Sequence, residues 1–173
     1  MTTFDLAVLF LGLTVGLTFA AHGAQKAFGW WGGPGMAGWQ GAMEHMGFRP
    51  ARVFALVSMA AELVGGIFLA IGFLAPFAAA VLVAQTTVII LQVHLAKGFW
   101  VAKGGIEFAL QLGIGALALG LLGRGTLSLD GALGWNFGVS TRVDLLILGL
   151  IAGVFTIAIP RLANRTPHAP QVG

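Results

Sequence analysis

The 173-residue chain contains no cysteine. It therefore holds no disulfide, ligates no iron–sulfur cluster and performs no thiol chemistry of its own, so any redox work would rest on a quinone, a haem or a partner. Charge is almost as scarce: 9% of residues are charged against 58% hydrophobic, and the mean hydropathy is +0.94. That leaves too little polar surface to cover a water-soluble globule of this size, and the solvent is read as lipid. The sequence pI near 10.2 does not imply nucleic acid. Nine Lys and Arg stand against six Asp and Glu, and the basic residues sit at the ends of apolar runs, where they act as topology signals. Also missing are a P-loop, an HExxH helix, a serine-nucleophile motif, a dinucleotide fingerprint between strand and helix, and any metal-ligand spacing.

What is present is a series of five long apolar runs, at about 4–26, 53–74, 77–96, 104–122 and 143–159. About 20 apolar residues in a helix cross a ~30 Å hydrocarbon core. The pattern predicts one all-α integral membrane domain over residues 1–160: an antiparallel four-helix transmembrane bundle plus a fifth C-terminal span, the shortest run, ended by Pro160. The polar tail 161–173, with Pro167 and Pro170, is expected to be disordered. The start MTTFDL lacks a basic n-region, so the first run is expected to stay as a span. The 27 glycines suit close helix contacts in lipid, with Gly12 and Gly16, and Gly149 and Gly153, at four-residue spacing. After the first run, Trp30 and Trp31 belong at a headgroup boundary, and Met36–Phe48 places Trp39, Met43 and Met46 on one face of a short interfacial helix. Seven basic residues (Lys26, Arg49, Arg52, Lys97, Lys103, Arg161, Arg165) fall on one side and two (Arg124, Arg142) on the other. The count puts the first side in the cytoplasm, with the N-terminus out and the C-terminus in.

Alternating span direction collects the ionisable residues at that cytoplasmic end. Thr14, Thr18, His22 and Lys26 form a four-residue stripe expected to face other helices. Glu62 lies well inside the second run, where a lone carboxylate costs ~2.5–3.5 kcal/mol on insertion scales. It must be paired or protonated, for proton handling or for a structural interhelix bond. Glu107 opens the fourth run, with Lys103 and Gln111 four residues to either side. Gln85 and Gln92 share one face of the third run, and Thr87 and His94 nearly the opposite one. We take Glu62 and Glu107 as candidate catalytic proton carriers, and His22, Lys26 and His94 as candidate ligand-binding groups. The bland readings stand beside these. Lys26 would snorkel, His22 would cap helix carbonyls, and Lys103 and Glu107 would form a surface pair. His22 and His94 at matched depth are too few to argue for haem, and no metal site is expected.

Several elements together resemble the DoxX family of small bacterial membrane proteins. They are His22-Gly23-Ala24-Gln25-Lys26, then Glu62-Leu63-Val64-Gly65-Gly66, then His94 with Gly98-Phe99-Trp100. Gly104-Gly105-Ile106-Glu107 and Gly123 through Asp130 follow. The resemblance covers roughly Phe4 to Asp130. Two departures are Arg124, where the family usually has Pro, and the fifth run beyond a four-helix core. The resemblance implies a four-helix bundle in the bacterial plasma membrane with a link to redox metabolism. Relatives are described as subunits of thiosulfate:quinone oxidoreductase or as partners in complexes against thiol and oxidative stress. It thus implies a membrane subunit of a redox complex, an oxidoreductase subunit that binds a quinone or similar ligand near the cytoplasmic half. Soluble redox enzymes or a second membrane subunit would be its partners. The alternative is a non-enzymatic membrane scaffold that recruits such enzymes through its basic loops.

Overall fold

The computed structural model describes residues 2–123 and 125–163, with side chains to residue 158. Helix α1 (Thr3–Phe28) opens on a capping box: Thr2 Oγ1 accepts the Asp5 N–H while the Asp5 carboxylate accepts the Thr2 N–H. It stops at Gly29, which takes the left-handed conformation that ends helices. A 3-10 turn (Trp30–Gly32) with both tryptophans exposed leads to α2 (Gly35–His45). Trp39 and Met43 of α2, with Met46 just after it, pack on Phe48, Phe54 and Ala55, which seats α2 against the bundle.

Helix α3 (Ala51–Ile71) turns through Gly72–Leu74 into α4 (Ala75–Ile89), with Pro76 in the first turn of α4, where its missing N–H costs nothing. Helix α4 continues as a π-helical turn (Ile90–His94) and a 3-10 turn (Leu95–Lys97). Helix α5 (Glu107–Leu122), the short α6 (Leu129–Ala132) and α7 (Val139–Ala163) complete the described residues. Helices α1, α3, α4 and α5 close a four-helix ring around Phe19, Leu69, Leu82 and Leu119, and α7 packs outside it on α4 and α5. The molecule is an all-helical membrane protein.

Lipid supplies no hydrophobic drive between helices, so contact depends on close fit. A Cβ added at Gly16 would overlap the backbone of Gly66 and Ala70, and one at Gly66 would overlap Gly16 and Ala20. Gly149 and Gly153 likewise admit the Ala80 and Ala84 carbonyls between α4 and α7.

The turn from α3 to α4 falls at Gly72–Leu74, not after residue 74, and the fourth and fifth runs depart further from the sequence expectation. The short run is the fourth: α5 has 16 residues, while Thr3–Phe28, Ala51–Ile71, Ala75–Lys97 and Val139–Ala158 are each long and apolar enough to cross a membrane. Gly104 takes a positive φ of 75° and the segment folds back on itself, with Gly105, Ile106 and Glu107 donating to Trp100, Gly98 and Phe99 carbonyls. Residues 104–106 thus close a turn instead of opening the helix. The last helix is longer than expected, because Pro160 removes one donor without stopping the winding before Ala163. Arg124 and the tail beyond Ala163 lie outside the described residues.

Candidate functional site

Glu62 sits about midway along α3 and is 1% exposed. Its Oε1 accepts Lys26 Nζ at 2.5 Å and Gln85 Nε2 at 3.1 Å, and the same Gln85 nitrogen donates to Ser58 Oγ at 2.7 Å. The pairing follows from helix packing. Gly23 has no side chain to hold α1 off Leu63, so Lys26, one turn later, reaches the carboxylate beside it. Lys26 lies in the last turn of α1, where a cation also meets the negative end of the helix dipole. Its ammonium stands 4.3 Å from the centroid of the Trp39 ring, a cation–π contact that helps replace lost hydration. One oxygen is left out. Glu62 Oε2 is buried and has no hydrogen-bond partner among the described residues.

Glu62, Lys26, Trp39, His22 and His94 line one cavity of about 270 Å³, whose remaining wall is mainly apolar, with Phe19, Ile89, Val93, Phe108 and Leu112. The volume is near the lower edge of the ~300–1,000 Å³ typical of small-molecule pockets and suits a single ring better than a macrocycle. Trp39 Nε1 is a second buried group without a partner. His94 reaches the wall from the π-helical turn, an irregularity frequent at functional sites. Its Nδ1 lies 2.6 Å from the Gly104 carbonyl oxygen. Since a carbonyl only accepts, Nδ1 carries a proton, and in the neutral form of the ring the lone pair lies on Nε2. His22 meets Phe108 edge to face at 5.7 Å and makes no hydrogen bond among the described residues.

Glu107 falls outside this cluster. It does not line the cavity; its Oε2 accepts the Val101 N–H at 2.9 Å and so braces the turn that brings Val101, Gly104 and Gly105 to the wall. The threonine stripe also departs from expectation, since Thr14 is exposed and bonds back to Phe10 O, as Thr18 does to Thr14 O. A hydroxyl satisfied within its own helix has no need of a neighbour. Helix α4 does use both faces: Gln85 bonds to α3 and Gln92 to Met46 O, while Thr87 packs at Gly153 of α7 and His94 turns to Gly104.

The family model for DoxX matches residues 7–95, about half of the chain. The chain belongs to the DoxX family. No curated protein and no solved structure matches it. The matched stretch runs from α1 to just past the π-helical turn, so it contains His22, Lys26, Trp39, Glu62, Gln85 and His94 of this DoxX protein. Glu107 and the 123–130 loop lie beyond it.

Three members of the cluster are not assembled from sequence. Trp39 reads as part of an interfacial helix, Ser58 carries no assignment, and Gln85 has a face but no partner. The usable signal was weak: an uncharged amide in an apolar span, and a serine four residues before a buried glutamate.

Proposed function

We propose that this DoxX-family protein is a membrane subunit of a redox complex that binds a quinone, or a similar lipid-soluble ligand, in the cavity between α1, α3, α4 and α5. The observation that carries the reading is Glu62, a buried carboxylate with one oxygen unpartnered among the described residues, in the wall of a mainly apolar cavity. A buried carboxylate oxygen without a donor is costly, and a ligand hydroxyl or water relieves that cost. The apolar walls favour a hydrophobic ring, and Lys26, His22 and His94 supply groups for its oxygens. Glu62 would take part in moving the ligand's proton, and Glu107 would act as a positioning residue through the Val101 turn. With no cysteine in the chain, electrons would pass between the ligand and a partner, a soluble redox enzyme or a second membrane subunit.

By the basic-residue count the cavity faces the cytoplasmic half of a bacterial plasma membrane. Exposed Arg49, Arg52, Lys97 and Lys103 lie at that end and would form the partner's landing surface. The test is mass spectrometry of what the gently purified protein retains, joined to the melting temperature with and without a short-chain quinone in both redox forms. Retention of a lipid-soluble aromatic and a rise in melting temperature are expected. If nothing is retained and neither form shifts melting, the scaffold reading takes its place, to be tested by co-purification of soluble enzymes.

A further inference from the structure

Besides His22, whose neutral ring has one donor and one acceptor and so answers either form of a ligand, the hydrogen-bonding groups around the cavity are of two kinds. Glu62, a lining residue held against the Lys26 ammonium, has in Oε2 an acceptor unpartnered among the described residues, and Gln85 cannot serve that oxygen because its Nε2 is already shared between Ser58 Oγ and Glu62 Oε1. His94, whose Nδ1–H is donated to Gly104 O, has only the Nε2 lone pair left in its neutral ring, another acceptor. Trp39 Nε1 is an unpartnered donor, and the Lys26 ammonium has further protons to give. A carbonyl oxygen only accepts. It would answer Trp39 and Lys26 but leave both acceptors unpaired and set its own lone pairs against the Glu62 carboxylate. A hydroxyl both donates and accepts, so an aromatic diol answers both kinds at once. Leaving a buried acceptor unsatisfied is penalised more heavily than a formed hydrogen bond is rewarded, so this difference bears on selectivity.

We infer that the cavity selects the reduced, hydroxyl-bearing form of its ligand, a quinol over the corresponding quinone, with Glu62 Oε2 and His94 Nε2 accepting the two hydroxyl protons. The inference rests on the quinone-type ligand proposed above and adds which redox form is held.

The experiment is anaerobic calorimetric titration of the full chain in detergent with three compounds of equal tail: a benzoquinol, its benzoquinone and the dimethyl ether of the quinol. The ether keeps the ring and removes both donors. The quinol is expected to bind about tenfold or more tighter than the quinone, and the ether no better than the quinone. In Glu62→Gln, whose amide can donate to a carbonyl, the preference should shrink to about threefold or less. His94→Gln serves as a second variant. Equal or tighter binding of the quinone overturns the inference and leaves the ligand reading standing. Absence of binding by all three compounds overturns both. A preference undiminished in both variants overturns the assignment to Glu62 and His94. Because the three-compound comparison on the unaltered protein needs no variant, a misfolded variant cannot shelter the inference.

Discussion

At one end of the bundle Asp130 accepts the Leu74 and Ala75 N–H groups at 2.7 and 2.9 Å, and Asp5 accepts Thr2 N, Thr2 Oγ1 and Thr126 N at 2.7, 2.8 and 3.0 Å. Midway along α3, Glu62 accepts Lys26 and Gln85 on one oxygen and, among the described residues, nothing on the other. All three carboxylates are buried, at 7%, 4% and 1% exposure for Asp5, Asp130 and Glu62. The aspartates satisfy backbone donors that folding would otherwise strand, and both their oxygens are in use. They tie the loop between α5 and α7 to the starts of α1 and α4. Asp130 also holds Leu74 in a left-handed conformation, φ 44°, that a branched side chain rarely takes. Glu62 stabilises no backbone group. Its partners are side chains on α1 and α4, and Glu62 is part of the cavity wall. A closed network fixes a fold, whereas one left open beside a cavity has capacity for a ligand.

Cutting the ion pair should give the largest effect. Lys26→Met strands a buried carboxylate, and equilibrium unfolding in mixed detergent micelles should show a loss of about 3–5 kcal/mol. The double change Lys26→Met with Glu62→Gln should recover most of it, since the remaining amide has no charge to compensate. A single-variant loss below about 1 kcal/mol would mean that solvent reaches Glu62 and that the two networks differ little.

Asp130→Ala comes next, at about 2–3 kcal/mol, because it orphans two backbone donors at the start of α4. The same unfolding assay reads it. Titration with the ligand should find affinity unchanged, the reverse of what Glu62→Gln should do. Gly23→Ala should cost about 1–3 kcal/mol by forcing α1 away from Leu63. Unlike Asp130→Ala, it should also weaken ligand binding, because the same shift separates Lys26 from Glu62.

The fold and the site were legible to different depths in the sequence. Spans follow from hydropathy, because burial is a local consequence of side-chain type, whereas the turn from α3 to α4 falls at Gly72–Leu74, inside the run expected to reach residue 74. The start of α5 was misread because Gly104 and Gly105 are apolar enough to continue a span, and nothing in composition reveals a fold-back fastened by Gly98 and Phe99 carbonyls. Lys26 and Glu62 stood out as charges in apolar runs. That they meet depends on how closely α1 approaches α3, a matter of pairing between distant segments. Trp39 looks the same in sequence whether it faces headgroups or, as here, stands beneath an ammonium and lines a cavity. The spacing that puts Trp39 with Met43 and Met46 on one face of an interfacial helix does not reveal this second role.

The smallest effect, and the sharpest test of the comparison, belongs to Glu107. From sequence it matched Glu62 as an acid near the same end, and a shared proton-handling role followed. In the structure it behaves as the aspartates do: its carboxylate accepts a backbone N–H, that of Val101, and it does not line the cavity. Because this bond is exposed, Glu107→Gln, which keeps an acceptor oxygen, should cost no more than about 1 kcal/mol in the unfolding assay. Ligand affinity should change by about twofold at most, through small movements of the Val101–Gly105 wall. Glu62→Gln and Glu107→Gln measured side by side in the three-compound titration should therefore separate: the first loses the preference for the quinol, the second keeps it. If Glu107→Gln instead abolishes that preference while the protein melts normally, Glu107 acts on the ligand directly, and the boundary drawn here between bracing and ligand-facing carboxylates is in the wrong place.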